Sequence, residues 1–162
     1  MSDATLRIEA GFRDRRGRLI SVRAIGDDWL QVADVAPRDD QRRFVPALAA
    51  RYLLQSGRGG AWTSLAVYAD DQVVGHVMWA VDEADRPCLG GIVIAAAEQG
   101  AGVGRALIET MLAWFASRPG PPVVQLAVQP ENQVAERLYR SVGFTPTGEV
   151  EDGEIVMARR SD

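Results

Sequence analysis

The stretch Gln99-Gly100-Ala101-Gly102-Val103-Gly104 decides how this chain folds, because a strand pattern leads into it and a helix pattern leads out of it. An apolar run over residues 89–94 precedes it, and apolar residues at helical spacing begin at Val103. A glycine-rich turn between a strand and a helix exposes backbone N–H groups at the positive end of the helix dipole, which favours anionic oxygens. The glycines also leave room for a phosphate against the backbone. The stretch therefore predicts a strand–turn–helix unit with an anion site at its turn.

Two common nucleotide motifs do not fit this turn. A P-loop would need a lysine and then a hydroxyl residue after its last glycine, but Arg105 and Ala106 follow Gly104. A dinucleotide fingerprint would need glycine or alanine at the position that Arg105 occupies. Taken alone, the turn leaves open whether it binds an anion or only begins a helix.

The second half of the chain adds another strand and a second motif. Residues 123–129 have a strand pattern, Pro-Glu-Asn follows at 130–132, and a short helix pattern runs to Ser141. Gly143-Phe144, another strand, an Asp-Gly turn and a last strand over 154–159 follow. In this order, Gln-x-x-Gly-x-Gly, Pro-Glu-Asn and Ala-Glu-Arg-Leu-Tyr-Arg-Ser-Val-Gly-Phe resemble the GNAT superfamily of N-acetyltransferases. The resemblance covers residues 18–160.

A finer resemblance is to the bacterial diamine and spermidine acetyltransferase branch. It rests on two segments and four loop residues: 131–136, 152–157, Val35, Gln41, Phe44 and Val45. That branch tends to carry a Trp-Arg-Phe-type sequence on the strand before the glycine turn. This chain has Leu89-Gly90-Gly91-Ile92 there, a departure that bears on the polyamine substrate and not on the cofactor.

The residue pattern and the resemblance predict the same fold. Strand 88–95, helix 103–117 and strand 123–129 form a right-handed parallel crossover. We expect an α/β (α+β) protein with a single mixed, mostly antiparallel sheet flanked by about four helices, with this β-α-β crossover at the acetyl-CoA site. Residues 1–162 are expected to form a single N-acetyltransferase domain. Residues 1–17 lie outside the resemblance, and the sequence leaves open whether they add an N-terminal strand, cover the site or make a subunit contact.

Two early helices are predicted from local signals. Asp27 or Asp28 would cap a short helix that ends at Pro37. Pro46 fits the first turn of a second helix that runs to about Gln55.

The resemblance implies that acetyl-CoA is the co-substrate and suggests its contacts. The backbone of Ile92, Val93 and Ile94 would pair with the pantetheine arm, and an N–H near Ile94 would polarise the thioester carbonyl. Asn132 would lie close to the same arm and also cap the helix that follows it. Arg105 would add charge beside the diphosphate. The diphosphate itself would take the N–H groups of the glycine turn: Gln99, Gly100, Ala101, Gly102, Val103 and Gly104.

Tyr139 is the predicted general acid, because the matching tyrosine of the family protonates the leaving thiolate. Its alternative role is packing. Residues 88–94 carry no carboxylate, so the general base is open. The candidates are Glu98, expected to face solvent, Glu149 and Glu154, with a water-mediated base as the default.

The chain has one histidine and one cysteine, too few for a typical zinc site, so no metal is expected. His76 falls within a strand pattern and is expected to be structural. Cys88 has no activating neighbour and is expected to be a packed thiol rather than a nucleophile. A single cysteine also fits a reducing, cytoplasmic location.

Charge and composition narrow the class of partner. The net charge is −4, which argues against nucleic-acid binding, and no apolar run approaches the roughly 20 residues of a membrane span. Acidic clusters would attract a cationic amine, although the same clusters are equally typical of solvated loops. Together with the finer resemblance, they make a small primary amine the predicted acceptor, with diamines or polyamines first. The alternatives are a protein N-terminus, a lysine or an aminoglycoside, or a non-catalytic acyl-CoA sensor. A homodimer is common in the resembled family.

Overall fold

The computed structural model of the protein describes residues 4–45 and 48–160. The strands are β1 (Arg7–Arg13), β2 (Leu19–Ala24), β3 (Thr63–Ala69), β4 (Gln72–Val81), β5 (Pro87–Ile94), β6 (Val123–Val128), β7 (Thr145–Glu151) and β8 (Glu154–Arg160). They form one sheet in the order β1-β2-β3-β4-β5-β6-β8-β7, and only β5 and β6 are parallel among its neighbouring pairs. The expected mixed, mostly antiparallel sheet is therefore confirmed.

Four α-helices accompany this sheet in the described residues, as expected. They are α1 (Trp29–Ala33), α2 (Ala50–Gly57), α3 (Val103–Ala116) and α4 (Gln133–Ser141). None of them combines the length and the apolar character that crossing a bilayer requires.

The bounds of the two early helices differ from the prediction. α1 already ends at Ala33, because the Val35 carbonyl accepts a hydrogen bond from the Ala49 N–H (2.9 Å) and the chain turns away to make it. α2 begins at Ala50, and its predicted start at Pro46 lies outside the described residues.

Helices cover both faces of the sheet. α3 packs on β1, β2 and β5, since its stripe of Val103, Leu107 and Met111 is fully buried in the main core. On the opposite face, α1 contacts β4 and α2 contacts β3, over two smaller apolar clusters. The helical periodicity of α3 thus fixes which face of the sheet carries the crossover.

The parallel strands β5 and β6 part soon after they meet. Cys88 pairs with Gln125 and Leu89 with Leu126, but no further pairs follow, although β5 continues to Ile94. The backbone groups of the outer half of β5 therefore face a gap rather than a neighbouring strand. In open α/β sheets, ligands bind beyond the carboxyl ends of parallel strands, which is where this gap lies.

Candidate active site

A cleft of about 1540 Å³ occupies the gap between β5 and β6. Of the residues predicted to bind the cofactor, all but the buried Ala101 line it, and the predicted acid Tyr139 lines it as well. The structure therefore brings the two sequence motifs, the glycine turn and the segment after Pro130, to one place.

β5 carries a bulge where it borders the cleft. His76 of β4 pairs with Val93, and Met78 pairs with Gly90, so residues 91–92 of β5 face a single residue of β4. Such a bulge takes backbone groups out of the ladder and re-aims them.

Only glycine fits at the centre of this bulge. Gly91 has a φ of 57°, and a Cβ there would lie 2.7 Å from Met78 Cε and 3.2 Å from His76 Cε1. Both Gly91 and Ile92 line the cleft, and neither has a ladder partner in β4 or β6. The conformation and close packing of the bulge thus explain why the Leu-Gly-Gly-Ile sequence has a glycine at position 91.

The glycine turn presents free N–H groups. Among residues 4–45 and 48–160, no backbone or side-chain acceptor takes a hydrogen bond from the N–H groups of residues 100–105. Gly100 and Gly102 both have φ of 80°, the left-handed conformation that glycine allows. The Gln99 N–H, in contrast, donates to the Ala96 carbonyl (3.4 Å). The available run of donors therefore begins at Gly100, one residue later than predicted.

The turn between β1 and β2 holds the glycine turn from behind. The Arg15 N–H donates to the Ala101 carbonyl (2.7 Å), and Arg15 Nη1 donates to the Gly100 carbonyl (3.2 Å). In a trans peptide the N–H points opposite to the carbonyl. The N–H groups of Ala101 and Gly102 are therefore directed away from Arg15, and Arg15 itself lines the cleft.

A buried ion network anchors this contact. The Asp14 carboxylate, with a fully buried side chain, accepts from the Arg16 N–H, the Arg18 N–H and Arg18 Nε, each at 2.9 Å. Arg18 Nη2 also lies 2.6 Å from Glu98 Oε2. Burial by itself would raise the pKa of Asp14, but the hydrogen bonds from Arg18 and Arg16 lower it below 3.8. Glu98 is thus held in an ion pair, contrary to the expectation that it faces solvent, and is not free to act as a base.

Two amide side chains brace the same region. Gln99 Nε2 donates to the Ile94 carbonyl (2.9 Å), and the Gln99 and Gln41 amides exchange two hydrogen bonds (2.7 and 2.8 Å). Asn132 Oδ1 accepts from the Ala135 N–H (3.3 Å), so Asn132 caps α4 as predicted. Asn132 also lines the cleft, and its second predicted role, contact with the cofactor arm, stays a prediction.

Two tyrosines and a glutamate lie together at the other side of the cleft. Burial raises the pKa of Tyr139 to about 12, with further contributions from Tyr52 and Glu154. Burial, then Glu154, raises the pKa of Tyr52 as well. Neither phenol OH has a hydrogen-bond partner within the described part of the chain. Burial, then the neighbouring Asp152 and Glu151, raises the pKa of Glu154.

The lining is therefore charged differently at its two sides. Arg15 and Arg105 stand near the glycine turn, where Arg18 pairs with the lining residue Glu98, while Glu154 and its neighbour Glu151 line the part near the tyrosines. Asp82, which also lines the cleft, is paired with Arg86. Such a surface draws an anion to one side and a cation to the other.

The environments of Cys88 and His76 do not activate either residue for catalysis. Burial raises the pKa of the half-buried Cys88 thiol, so it is not activated. His76 is fully buried behind the cleft. No cluster of three or more metal-ligating side chains occurs among the residues that the structure describes.

Sequence reasoning missed Tyr52 and Arg15. Tyr52 lies on α2, 87 positions before Tyr139, and no local spacing connects the two. Arg15 belongs to an arginine-rich segment over residues 13–18, a pattern that is equally typical of a solvated hairpin turn.

Comparison with known proteins agrees with this geometry. A sequence model described as the Acetyltransferase (GNAT) family matches residues 27–144, well over half of the chain. No curated protein sequence matches at a significant level.

Three solved structures illustrate the similarity of fold. The GNAT domain of S. lividans PAT has a TM-score of 0.71 at 21% identity, covering 94% of this chain and 96% of its own. Spermidine N-acetyltransferase from Vibrio cholerae, solved with CoA and spermine, has a TM-score of 0.68 at 19% identity over 88% of this chain and 95% of its own. AAC(6′)-Ib with paromomycin and acetyl-CoA has a TM-score of 0.72 at 15% identity over 87% and 93%.

Proposed function

Because this chain belongs to the GNAT acetyltransferase family, we propose that it moves an acetyl group from acetyl-CoA to the primary amine of a small cationic molecule. The observation that carries the proposal is the cleft between β5 and β6, which has free backbone N–H groups at one side and the half-buried Glu154 beside Tyr52 and Tyr139 at the other. A diamine or polyamine is the acceptor that this charge distribution favours.

On the donor side, the N–H groups of residues 100–105 hold the diphosphate, and Arg105 adds positive charge. Residues 92–94 have no strand neighbour on the β6 side, so their backbone groups that face this side offer hydrogen bonds to the pantetheine arm, apart from the Ile94 carbonyl that Gln99 already holds. Asn132 lies in the same cleft and keeps its side-chain N–H₂ for that arm. Acetyl-CoA supplies the activated acyl thioester.

On the acceptor side, Glu154 takes the ammonium group of the substrate. It is the acidic lining residue that lies near both tyrosines, since it raises the pKa of each. The V. cholerae spermidine N-acetyltransferase was solved with spermine, a cationic amine, and its similarity in fold supports the same class of acceptor here.

The chemistry balances with the groups present. The ammonium first loses a proton, through water or Glu154, because only the neutral amine attacks. Its nitrogen forms a bond to the thioester carbon, the C–S bond breaks, and the second proton of the nitrogen passes, directly or through water, to the Tyr139 phenolate that remains once the hydroxyl has protonated the thiolate. The leaving thiolate takes the proton of the Tyr139 hydroxyl, which lines the cleft and is not engaged by the described residues. The single cysteine of the chain favours the cytoplasm as the place of this reaction.

The first test is thiol release from acetyl-CoA with a panel of amines: spermidine, putrescine, aminoglycosides, lysine and N-terminal peptides. We expect turnover with the diamines or polyamines. Turnover only with peptides or aminoglycosides would overturn the acceptor class. Binding of acetyl-CoA without turnover on any amine would favour the sensor alternative instead.

The Tyr139→Phe variant tests the general acid. Loss of the proton donor should lower kcat about 100-fold, the scale of one general acid, and leave the KM for acetyl-CoA within about twofold. The Tyr52→Phe variant is the matched control, since it removes the other cleft phenol and should keep kcat within about threefold. A larger loss in Tyr52→Phe than in Tyr139→Phe would transfer the role to Tyr52.

A further inference from the structure

His76 is fully buried, yet both of its ring nitrogens are used. Nδ1 lies 2.7 Å from the Gly91 carbonyl oxygen, at the bulge of β5, and Nε2 lies 2.9 Å from Ser64 Oγ on β3. The ring also stacks on Tyr52 of α2, with parallel planes and centroids 5.3 Å apart. His76 does not line the cleft, so it reaches the cleft only through these neighbours.

The partners determine where the proton of the ring sits. A carbonyl oxygen can only accept, so Nδ1 must carry the hydrogen and donate it to Gly91. In the neutral ring Nε2 then accepts, and the Ser64 hydroxyl donates to it. Ser56 Oγ lies 2.7 Å from Ser64 Oγ and 3.2 Å from the Leu53 carbonyl, so its single hydrogen serves one of these two acceptors. The result is a directional chain of hydrogen bonds from Ser64 of β3 through His76 of β4 to the bulge of β5.

This chain fixes the orientation of one peptide group. The Gly91 carbonyl and the Ile92 N–H belong to the same trans peptide and point in opposite directions. With the carbonyl drawn to His76, the Ile92 N–H points away from the ring. Neither residue has a ladder partner, and both line the cleft beside the backbone that faces the gap.

We propose that His76 is a positioning residue for acyl transfer, which holds the Gly91–Ile92 peptide so that the Ile92 N–H can donate to the thioester carbonyl oxygen. The inference rests on the proposed function. A fixed N–H donor stabilises the negative charge that develops on this oxygen and has no reorganisation to undergo during reaction. Without the hydrogen bond from His76, the Ile92 N–H would lose its orientation, whereas the affinity for acetyl-CoA would be kept.

Three variants separate positioning from packing. In His76→Asn, Nδ2 stands one bond beyond Cγ, as Nδ1 does, and can still donate to Gly91. In His76→Gln the amide stands one bond farther out, at the depth of Nε2, and reaches Ser64 instead. His76→Leu fills the space and donates nothing.

We expect kcat to fall about 30-fold in His76→Leu and His76→Gln, below the 100-fold or more of a deleted oxyanion donor, since the N–H remains but is misdirected. It should fall at most about fivefold in His76→Asn. The KM for acetyl-CoA should stay within about twofold in all three, because the diphosphate contacts lie elsewhere. Equal kcat in His76→Asn and His76→Gln, with both folded by thermal melting, would overturn the proposal.

A spectroscopic test needs no variant, because His76 is the only histidine of the chain. Protein labelled with ¹⁵N-histidine should show one imidazole, with hydrogen on Nδ1 and none on Nε2. Acetyl-CoA should shift the Nδ1–H resonance more than CoA does. Hydrogen on Nε2 instead would overturn the proposal, since the Gly91 carbonyl would then have no donor.

The two proposals fail in different ways. An inactive wild-type protein on every amine would remove the proposed function and this inference together. An active wild-type protein whose His76→Leu variant keeps full kcat would remove this inference alone.

Discussion

At the scale of single residues, the environment of Tyr139 decides which proton it can move. With its pKa raised to about 12 by burial, Tyr52 and Glu154, the phenol is protonated throughout the physiological range. It therefore carries a proton at neutral pH and cannot take one from the ammonium. Because its pKa lies above the roughly 8.5 of a thiol, it gives that proton to the sulfur only as the amine nitrogen returns one to the phenolate. A fall in rate anywhere below about pH 11 would have to come from another group.

Glu154 is the residue whose replacement should separate acceptor binding from donor binding. In Glu154→Gln, kcat/KM for the cationic acceptor should fall about tenfold at neutral pH, which corresponds to about 1.4 kcal/mol for a charge-assisted hydrogen bond. The KM for acetyl-CoA should not change. Steady-state kinetics with each substrate varied in turn measures both.

The pH dependence of kcat/KM for the acceptor is a second test of the role of Glu154. Because the pKa of Glu154 is raised, its carboxylate is lost on acidification earlier than that of an exposed glutamate. The wild-type kcat/KM for the acceptor should therefore fall on acidification as Glu154 takes up a proton. In Glu154→Gln this acid limb of the pH profile should be flatter. Glu9→Gln, which changes an exposed glutamate of β1 outside the cleft, is the control and should behave like wild type. An unchanged acid limb in Glu154→Gln would rule out the assignment.

Local sequence motifs predicted some of the residues that line the cleft but not others. Tyr139 and Asn132 were found because they lie within one continuous motif. Tyr52 and Arg15 were not, because their place in the cleft depends on β3 and on the hairpin of β1 and β2 folding back. Long-range pairing of this kind leaves no signal in local spacing.

At the scale of elements, two hairpin turns share one design. Asp82 accepts from the Ala84 N–H (2.9 Å), the Arg86 N–H (2.9 Å) and Arg86 Nε (2.7 Å), as Asp14 does from Arg16 and Arg18. The fourth residue of each turn has positive φ, being Gly17 in one and Asp85 in the other. Only the turn at Asp14 is bonded to the glycine turn.

This pair of turns offers a matched comparison. Asp14→Asn removes a buried, charged acceptor, so the free energy of unfolding should fall by about 2 kcal/mol and the KM for acetyl-CoA should rise about fivefold as the glycine turn loosens. Asp82→Asn disturbs the same kind of turn without that contact. Its KM for acetyl-CoA should stay within about twofold. Denaturant unfolding measures the stability change, and initial-rate kinetics measures the KM. Equal KM values for acetyl-CoA in the two variants would contradict a role of the Asp14 turn in supporting the acetyl-CoA site.

Element types were predictable here and element ends were not. The hairpins, the crossover and the stripe of α3 follow from periodicity and turn residues. The early end of α1 does not, because it depends on the hydrogen bond between Ala49 and Val35, which a local pattern cannot show.

At the scale of the whole molecule, His76 links stability to pH. Burial lowers its pKa to about 4 from 6.5, although the hydrogen bond to Gly91 acts in the other direction. Between these values the unfolded chain binds a proton that the folded protein does not. The contribution is therefore fully present above pH 6.5 and is lost as the pH falls towards 4.

The expected loss in the free energy of unfolding is roughly 3 kcal/mol between pH 7 and pH 4, because each tenfold difference in proton affinity between the two states corresponds to about 1.4 kcal/mol. Denaturant unfolding across this range measures it. The His76→Asn variant lacks the titrating group and should show a flatter curve. Asp14 does not interfere, since its lowered pKa places its own loss below pH 4. Parallel curves for the two proteins would contradict the linkage.

The parting of β5 and β6 gives the sheet a third edge, inside the molecule. Unpaired strand edges attract other extended chains and are a common origin of aggregation. The outer edge at β7 is protected by Pro146 and by its glutamates, whereas the inner edge of β5 is apolar. A bound pantetheine arm would act as the missing strand and cover it. We therefore expect the supply of acyl-CoA in the cell to govern how long this protein persists unaggregated as well as how fast it works.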